Sequence, residues 1–157
     1  MKGTILTLIL VLAVCAPLFA IDAPQTPEAK QIVDLVNNAA AMIGQKGTDA
    51  FTAFRAKGSI WFKGETYIFV YGLDGTMLCN PPYAAYEGKN LISIKDQNGK
   101  AYLQEMIDTA KSKGSGWIDY MLPKPGEMTP SKKLGYFRTA KMPDGQSVLV
   151  GSGLYVK

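Results

Sequence analysis

The chain has 157 residues, a formal net charge of +4 and no histidine. The absence of histidine excludes a Ser-His-Asp triad, a Cys-His pair and His-ligated zinc. The lysines are dispersed, with no run longer than Lys132-Lys133, whereas a nucleic-acid footprint would be a clustered basic stripe.

Met1 and Lys2 open the chain with positive charge, and Ile5 to Ala20 is almost wholly apolar. Pro17 and Ala20 then lead into polar IDAPQTPEAK, which completes the charge, apolar run and small-residue boundary of a secretory signal. The run of about 16 residues falls short of the ~20 that a spanning helix needs. Residues 1–20 are therefore expected to be a cleaved signal peptide that sends the chain to the periplasm or the exterior; an uncleaved N-terminal membrane anchor is the alternative. Residues 21–157 form the expected single domain. Cys79 would be the one cysteine left after cleavage, with no intrachain disulfide, Cys-based metal site or redox pair open to it. No paired-carboxylate motif appears, so no enzyme, metal or cofactor is expected.

Thr26-Pro27 should open a helix, with Thr as cap and Pro at the first position. Ile32, Val36, Ala39 or Ala40, and Ile43 recur at spacings of three and four and give it one apolar stripe. A second short helix, capped by Thr48, should turn Phe51 and Phe54 inward and end at Gly58. The period then changes. SIWFKGETYIFVYGLDGTMLCN reads as strands broken at Lys63-Gly64 and at Asp74-Gly75, the latter a strong hairpin signal. Alternation places Tyr67, Phe69 and Tyr71 on one face and Ile68 and Val70 on the other. The aromatic face reads equally as core under a helix and as the wall of a ligand pocket.

Asn80-Pro81-Pro82 must leave the strand, because proline cannot donate to a ladder. A third helix should carry Tyr102, Leu103, Met106, Ile107 and Ala110 inward and end at Gly114. GWIDYMLP is the next strand, with Trp117, Asp119 and Met121 facing one way and Ile118, Tyr120 and Leu122 the other. KKLGYFRTAKM and QSVLVGSGLYVK form a final hairpin over Pro143-Asp144-Gly145. The sum is an α+β domain: one antiparallel sheet of about five strands with a long N-terminal helix and the helices on one side.

These tracts together resemble the single-Cache domain, a PAS-like extracellular sensor module. The resemblance lies in YIFVYGLDGTMLCNPP, EGKNLISIKDQNGK, GSGWIDYMLPKPG, KKLGYF and the terminal VGSGLYV, and covers roughly Ile32 to Val156. It implies a curved antiparallel sheet enclosing a small pocket for a short organic acid such as acetate, propionate, pyruvate or lactate. It also implies sensory signal transduction through a membrane receptor or transducer protein. An interaction module that docks on such a partner without its own metabolite is the alternative. Carried over position by position, the implied ligand-binding residues are Tyr67, Phe69, Tyr71, Asn80, Pro81, Tyr120, Lys133 and Tyr136. Lys133 would supply the positive charge, with Arg138 and Lys141 as weaker candidates, and the tyrosine hydroxyls and Asn80 amide would supply neutral donors. Relatives often carry histidine at Asn80, tryptophan at Leu122 and serine at Gly135, which leaves the ligand of this chain open.

Overall fold

The computed structural model describes residues 21–156; the expected signal segment lies outside them. Helix α1 spans Pro27–Lys46, and the Thr26 hydroxyl accepts from the Ala29 N–H at 3.1 Å, as a capping threonine should. A 3-10 turn over Gly47–Asp49 leads directly into α2, Ala50–Arg55, which has no side-chain cap. The Thr48 cap expected from sequence is absent because the chain is already winding at that residue.

Strands β1 (Phe62–Lys63) and β2 (Thr66–Tyr67) form a small hairpin. β3 (Phe69–Gly72), β4 (Met77–Cys79), β5 (Ser115–Pro123), β6 (Pro130–Lys141) and β7 (Ser147–Tyr155) build one antiparallel PAS-like sheet in the order β4-β3-β7-β6-β5. Helix α3, Tyr102–Lys113, ends on Gly114 in the left-handed region, the conformation glycine adopts without cost. The segment between β4 and α3 begins with a 3-10 stretch, Pro81–Tyr86. It starts at the prolines that force the chain out of the sheet.

Both faces of the sheet are apolar, so both need cover. Ile32, Val36, Ala39 and Ile43 of α1 pack with Ile68, Val70, Trp117, Val148 and Val150 on one face. Leu103, Met106 and Ile107 of α3 pack with Phe69, Tyr71, Ile118, Phe137 and Leu149 on the other. The expectation of helices on one side is thus corrected. Period-two alternation gives each strand two apolar faces, and one helix can bury only one of them.

Glycines in β6 and β7 govern close approaches on the α3 face. A Cβ on Gly153 would lie 2.5 Å from the Leu134 carbonyl oxygen and 2.9 Å from Lys133 Cε. One on Gly151 would collide with the Phe69 ring, and one on Gly135 would lie 3.1 Å from the Tyr120 ring. The missing side chains are the space through which Lys133, Phe69 and Tyr120 pass.

Two substitutions should have opposite signs. Gly153→Ala forces its Cβ into a backbone carbonyl and should cost about 1–3 kcal/mol, the usual range for overpacking. Gly44→Ala in α1 meets only ordinary contact, 3.5 Å from the Lys141 carbonyl oxygen, and should gain about 0.5–1 kcal/mol from helix propensity. Urea unfolding of the two variants beside the parent measures both.

Candidate functional site: an aromatic cavity beside a buried lysine

On the α3 face lies a cavity of about 270 Å³. Tyr67, Phe69 and Tyr71 form one wall, Tyr102, Met106 and Tyr120 another, and Met77, Asn80, Tyr83 and Leu91 close it. The period-two pattern of YIFVY produces the first wall: its alternate residues Ile68 and Val70 face α1 instead. Tyr120 arrives from β5 and stacks on Tyr102 of α3, ring centroids 4.7 Å apart and planes 11° apart. Burial pushes the Tyr67, Tyr102 and Tyr120 phenols well above their ordinary value and raises Tyr71 to about 12. At neutral pH all four are neutral hydroxyls able to donate.

The wall between β4 and α3 is irregular but tied down. Tyr83 Oη donates to the Pro123 carbonyl at 2.7 Å, and Tyr155 Oη donates to the same oxygen at 2.6 Å. Burial opposes ionisation of Asp96, yet its carboxylate accepts from the N–H groups of Met121, Lys100 and Asn98, which hold it below the usual carboxylate range. Lys100 bonds both the carbonyl and the carboxylate of Asp119 on β5, at 2.7 and 2.9 Å. These bonds draw the loop against the strand that carries Tyr120.

Lys133 is fully buried at 0 % exposure, and its Nζ has no hydrogen-bond partner among the described residues. It sits 3.9 Å from the centroid of the Tyr67 ring, 5.0 Å from that of Tyr155 and 5.8 Å from that of Phe69. Cation–π contact offsets part of the desolvation of an ammonium but does not replace its hydrogen bonds. Burial lowers its pKa to about 7. The Tyr67 hydroxyl lies beside that of Tyr155 but makes no well-formed hydrogen bond, and the buried Asn80 Oδ1 is also unpartnered. Unpaired buried polar atoms are few in native proteins, and each calls for an explanation, a bound water, ion or ligand among them.

Of the eight residues singled out from sequence, Tyr67, Phe69, Tyr71, Asn80 and Tyr120 line the cavity. Lys133 does not line it but packs against Tyr67, which does. Pro81 is not among the lining residues; it starts the 3-10 stretch, where its missing N–H leaves no ladder bond unmade. Tyr136 is a correction. It lies on the α1 face, its ring 5.3 Å from that of Trp117, because three residues along a strand from Lys133 reverses the face. Arg138 shares that face and donates to Asn37 of α1, and Lys141 is exposed; neither reaches the cavity. Met77, Tyr83, Tyr86, Leu91 and Ile94 line the cavity without having been singled out. The clustering of tyrosines just after Asn80-Pro81-Pro82 was the available signal for two of them.

Residues 48–157 match the Cache domain family, and the chain belongs to it. It is 32% identical over 92 residues to the methyl-accepting chemotaxis protein McpP of Pseudomonas putida, covering 59% of this chain and 16% of that protein. It is 30% identical over 98 residues to the sensor histidine kinase MctS of Rhizobium johnstonii, covering 62% of this chain and 20% of that protein. The chain thus spans a fifth or less of the curated relatives it matches. Among solved structures it resembles a periplasmic sensor domain of a chemotaxis protein, with a TM-score of 0.63 and 33% identity over 80% of this chain and 88% of the other. It also resembles a Cache chemosensory domain solved for its carboxylic acid recognition, with a TM-score of 0.69 and 27% identity over 85% of this chain and all of the other. The fold is that of a sensor-type, ligand-binding Cache domain.

The buried amine makes the ligand-free protein pH-sensitive. Its folded pKa of about 7 is below the ordinary ~10.4 of an unfolded lysine. Between those values the unfolded chain holds more protons, so stability should rise as pH increases from about 7 to 10, by at most about 1.4 kcal/mol per pH unit. Below pH 7 the cost is present in full. Lys133→Met should remove the slope and stabilise the ligand-free domain at neutral pH, as read from urea unfolding between pH 6 and 10.

Proposed function

We propose that this chain is an extracytoplasmic sensor module that binds an organic monocarboxylate in the aromatic cavity. Acetate, propionate, pyruvate and lactate are the first acids to try. The observation that carries this reading is the pair of unpartnered buried groups at one wall of the cavity, the Tyr67 hydroxyl and, behind its ring, the Lys133 amine. A carboxylate would answer both: it accepts from the hydroxyl and supplies the counter-charge that a buried lysine lacks. Rotation of the Tyr67 ring, which now covers Nζ, would bring the ammonium into contact. The apolar rings around it suit the carbon end of the acid. The carboxylic acid recognition reported for a similar Cache domain supports the same class of ligand. Binding rather than turnover is the activity, and output passes through a membrane receptor or transducer of the kind the curated relatives are named for.

Thermal unfolding of refolded, ligand-free protein with each acid is the direct test. A ligand at about 100 times its Kd should add ~2.7 kcal/mol of stability, and the absence of any shift across the series would overturn the reading. Lys133→Met should abolish binding while the protein remains folded. Tyr67→Phe should weaken it about 10- to 100-fold, the loss of one hydrogen bond to a charged group.

Affinity should also depend on pH. The acid binds the protonated amine, and the amine is already losing its proton above about pH 7. Kd should therefore rise up to tenfold per pH unit between 7 and 9, with proton uptake on binding visible as buffer-dependent heat. A flat profile would remove Lys133 from the site.

A further inference from the structure

We infer that the cavity contains a second, apolar subsite, formed by Met77, Leu91 and Ile94 between the rings of Tyr71 and Tyr102, which takes the tail of an acid longer than three carbons or bearing a ring. This rests on the carboxylate reading above and extends it to the class of acid.

Size is the first reason. A cavity of roughly 150 Å³ lined by apolar side chains holds a benzene molecule, and a water takes up about 30 Å³. Acetate, with four heavy atoms, would leave about half of the 270 Å³ here unfilled. Position is the second. Tyr67, Lys133 and Tyr155 share one end of the sheet, since Lys133 pairs with Tyr155 and the Tyr67 carbonyl accepts from Ser152. Tyr71 lies four residues along from Tyr67, about 13 Å at ~3.3 Å per residue, and pairs with Met77. Leu91 N–H bonds the Gly75 carbonyl and Ile94 N–H bonds that of Leu91, which places both beside Met77. A two-carbon acid anchored at Tyr67 cannot reach this end.

Chemistry is the third. Met77, Leu91 and Ile94 offer no hydrogen bonds, and water in an apolar space finds too few partners to be held there. Methionine adapts its shape to irregular groups, so the subsite accepts an alkyl chain or an aryl ring.

Calorimetric titration of ligand-free protein with acetate, butyrate, hexanoate, phenylacetate and hexanamide, all at pH 6.5, tests the subsite. Affinity should increase about fourfold per added methylene, the equivalent of ~0.8 kcal/mol for each one buried. Ile94→Phe and Leu91→Phe, which fill the subsite, should weaken hexanoate and phenylacetate at least tenfold more than they weaken acetate. Acetate binding that equals or exceeds hexanoate would overturn the subsite and leave the carboxylate reading standing. Hexanamide binding as tightly as hexanoate would uphold the subsite and remove the carboxylate. Failure of every compound would overturn both.

Discussion

Lys133 crosses the bare backbone of Gly153 to place an amine against the face of Tyr67, 3.9 Å from the ring centroid. A lysine buried there with no counter-ion is costly in the ligand-free state. It persists because its surroundings over-determine it: β6 is paired on both sides at Lys133, and the rings of Tyr67, Phe69 and Tyr155 enclose the ammonium. Strain held in this way clusters at sites that have work to do. The same crossing explains the otherwise puzzling run VGSG. Gly151 admits the Phe69 ring and Gly153 admits the lysine, while Ser152, on the opposite face, ties β7 to the Tyr67 carbonyl.

The sheet is one residue thick between the cavity and α1. Residues on the cavity side of the sheet alternate with residues that pack under α1: Tyr67 stands beside Ile68, and Lys133, against the Tyr67 ring, beside Leu134. Ile68 is fully buried in the α1 core, and Leu134 and Leu154 pack against it. A sensor built on this plan has its ligand groups and its helix contacts on successive residues of the same strands. The long helix is therefore not only a cover for an apolar face. It packs on the strand residues next to those on the cavity side, while α3 lines the cavity directly through Tyr102 and Met106.

Much of this was legible in the sequence. The Thr26-Pro27 start of α1, the Asp74-Gly75 and Asp144-Gly145 turns and the faces of YIFVY all follow from local rules of capping, turn geometry and period two. Those rules fail where function of a residue was assigned by spacing across a family pattern without regard to the pleat. Lys133 and Tyr136 are three apart and so cannot share a face of a regular strand: Lys133 packs behind the Tyr67 wall of the cavity, and Tyr136 turns to the α1 side. Placing both covering helices on one side failed for a related reason: an apolar stripe says that a helix is buried, but not on which face of the sheet. Leu91 and Ile94 were illegible because they sit in a segment without periodicity, positioned by bonds to Gly75 and to each other.

That segment shows how an irregular wall can still be a fixed one. Many of its backbone groups are satisfied by its own side chains. Asn90 donates to the Asp74 carbonyl at 2.9 Å and accepts from the Ile92 N–H at 3.1 Å, and Asp96 collects three N–H groups from the loop and β5. Glu87 accepts from the Asn80 N–H at 2.8 Å and pairs with Arg55 at 2.7 Å, joining the start of the loop to α2. Where the wall meets the strands, the Pro123 carbonyl receives two phenol hydroxyls, those of Tyr83 and Tyr155. Proline has no N–H and cannot extend the ladder, but its carbonyl is a full acceptor, and two donors use both lone pairs. The polar demands of the wall are thereby met within the protein, Asn80 Oδ1 apart. Of the buried side-chain atoms left without a partner among the described residues, the Tyr67 hydroxyl and the Lys133 amine lie together where the wall meets the sheet, and they are the pair a carboxylate would answer.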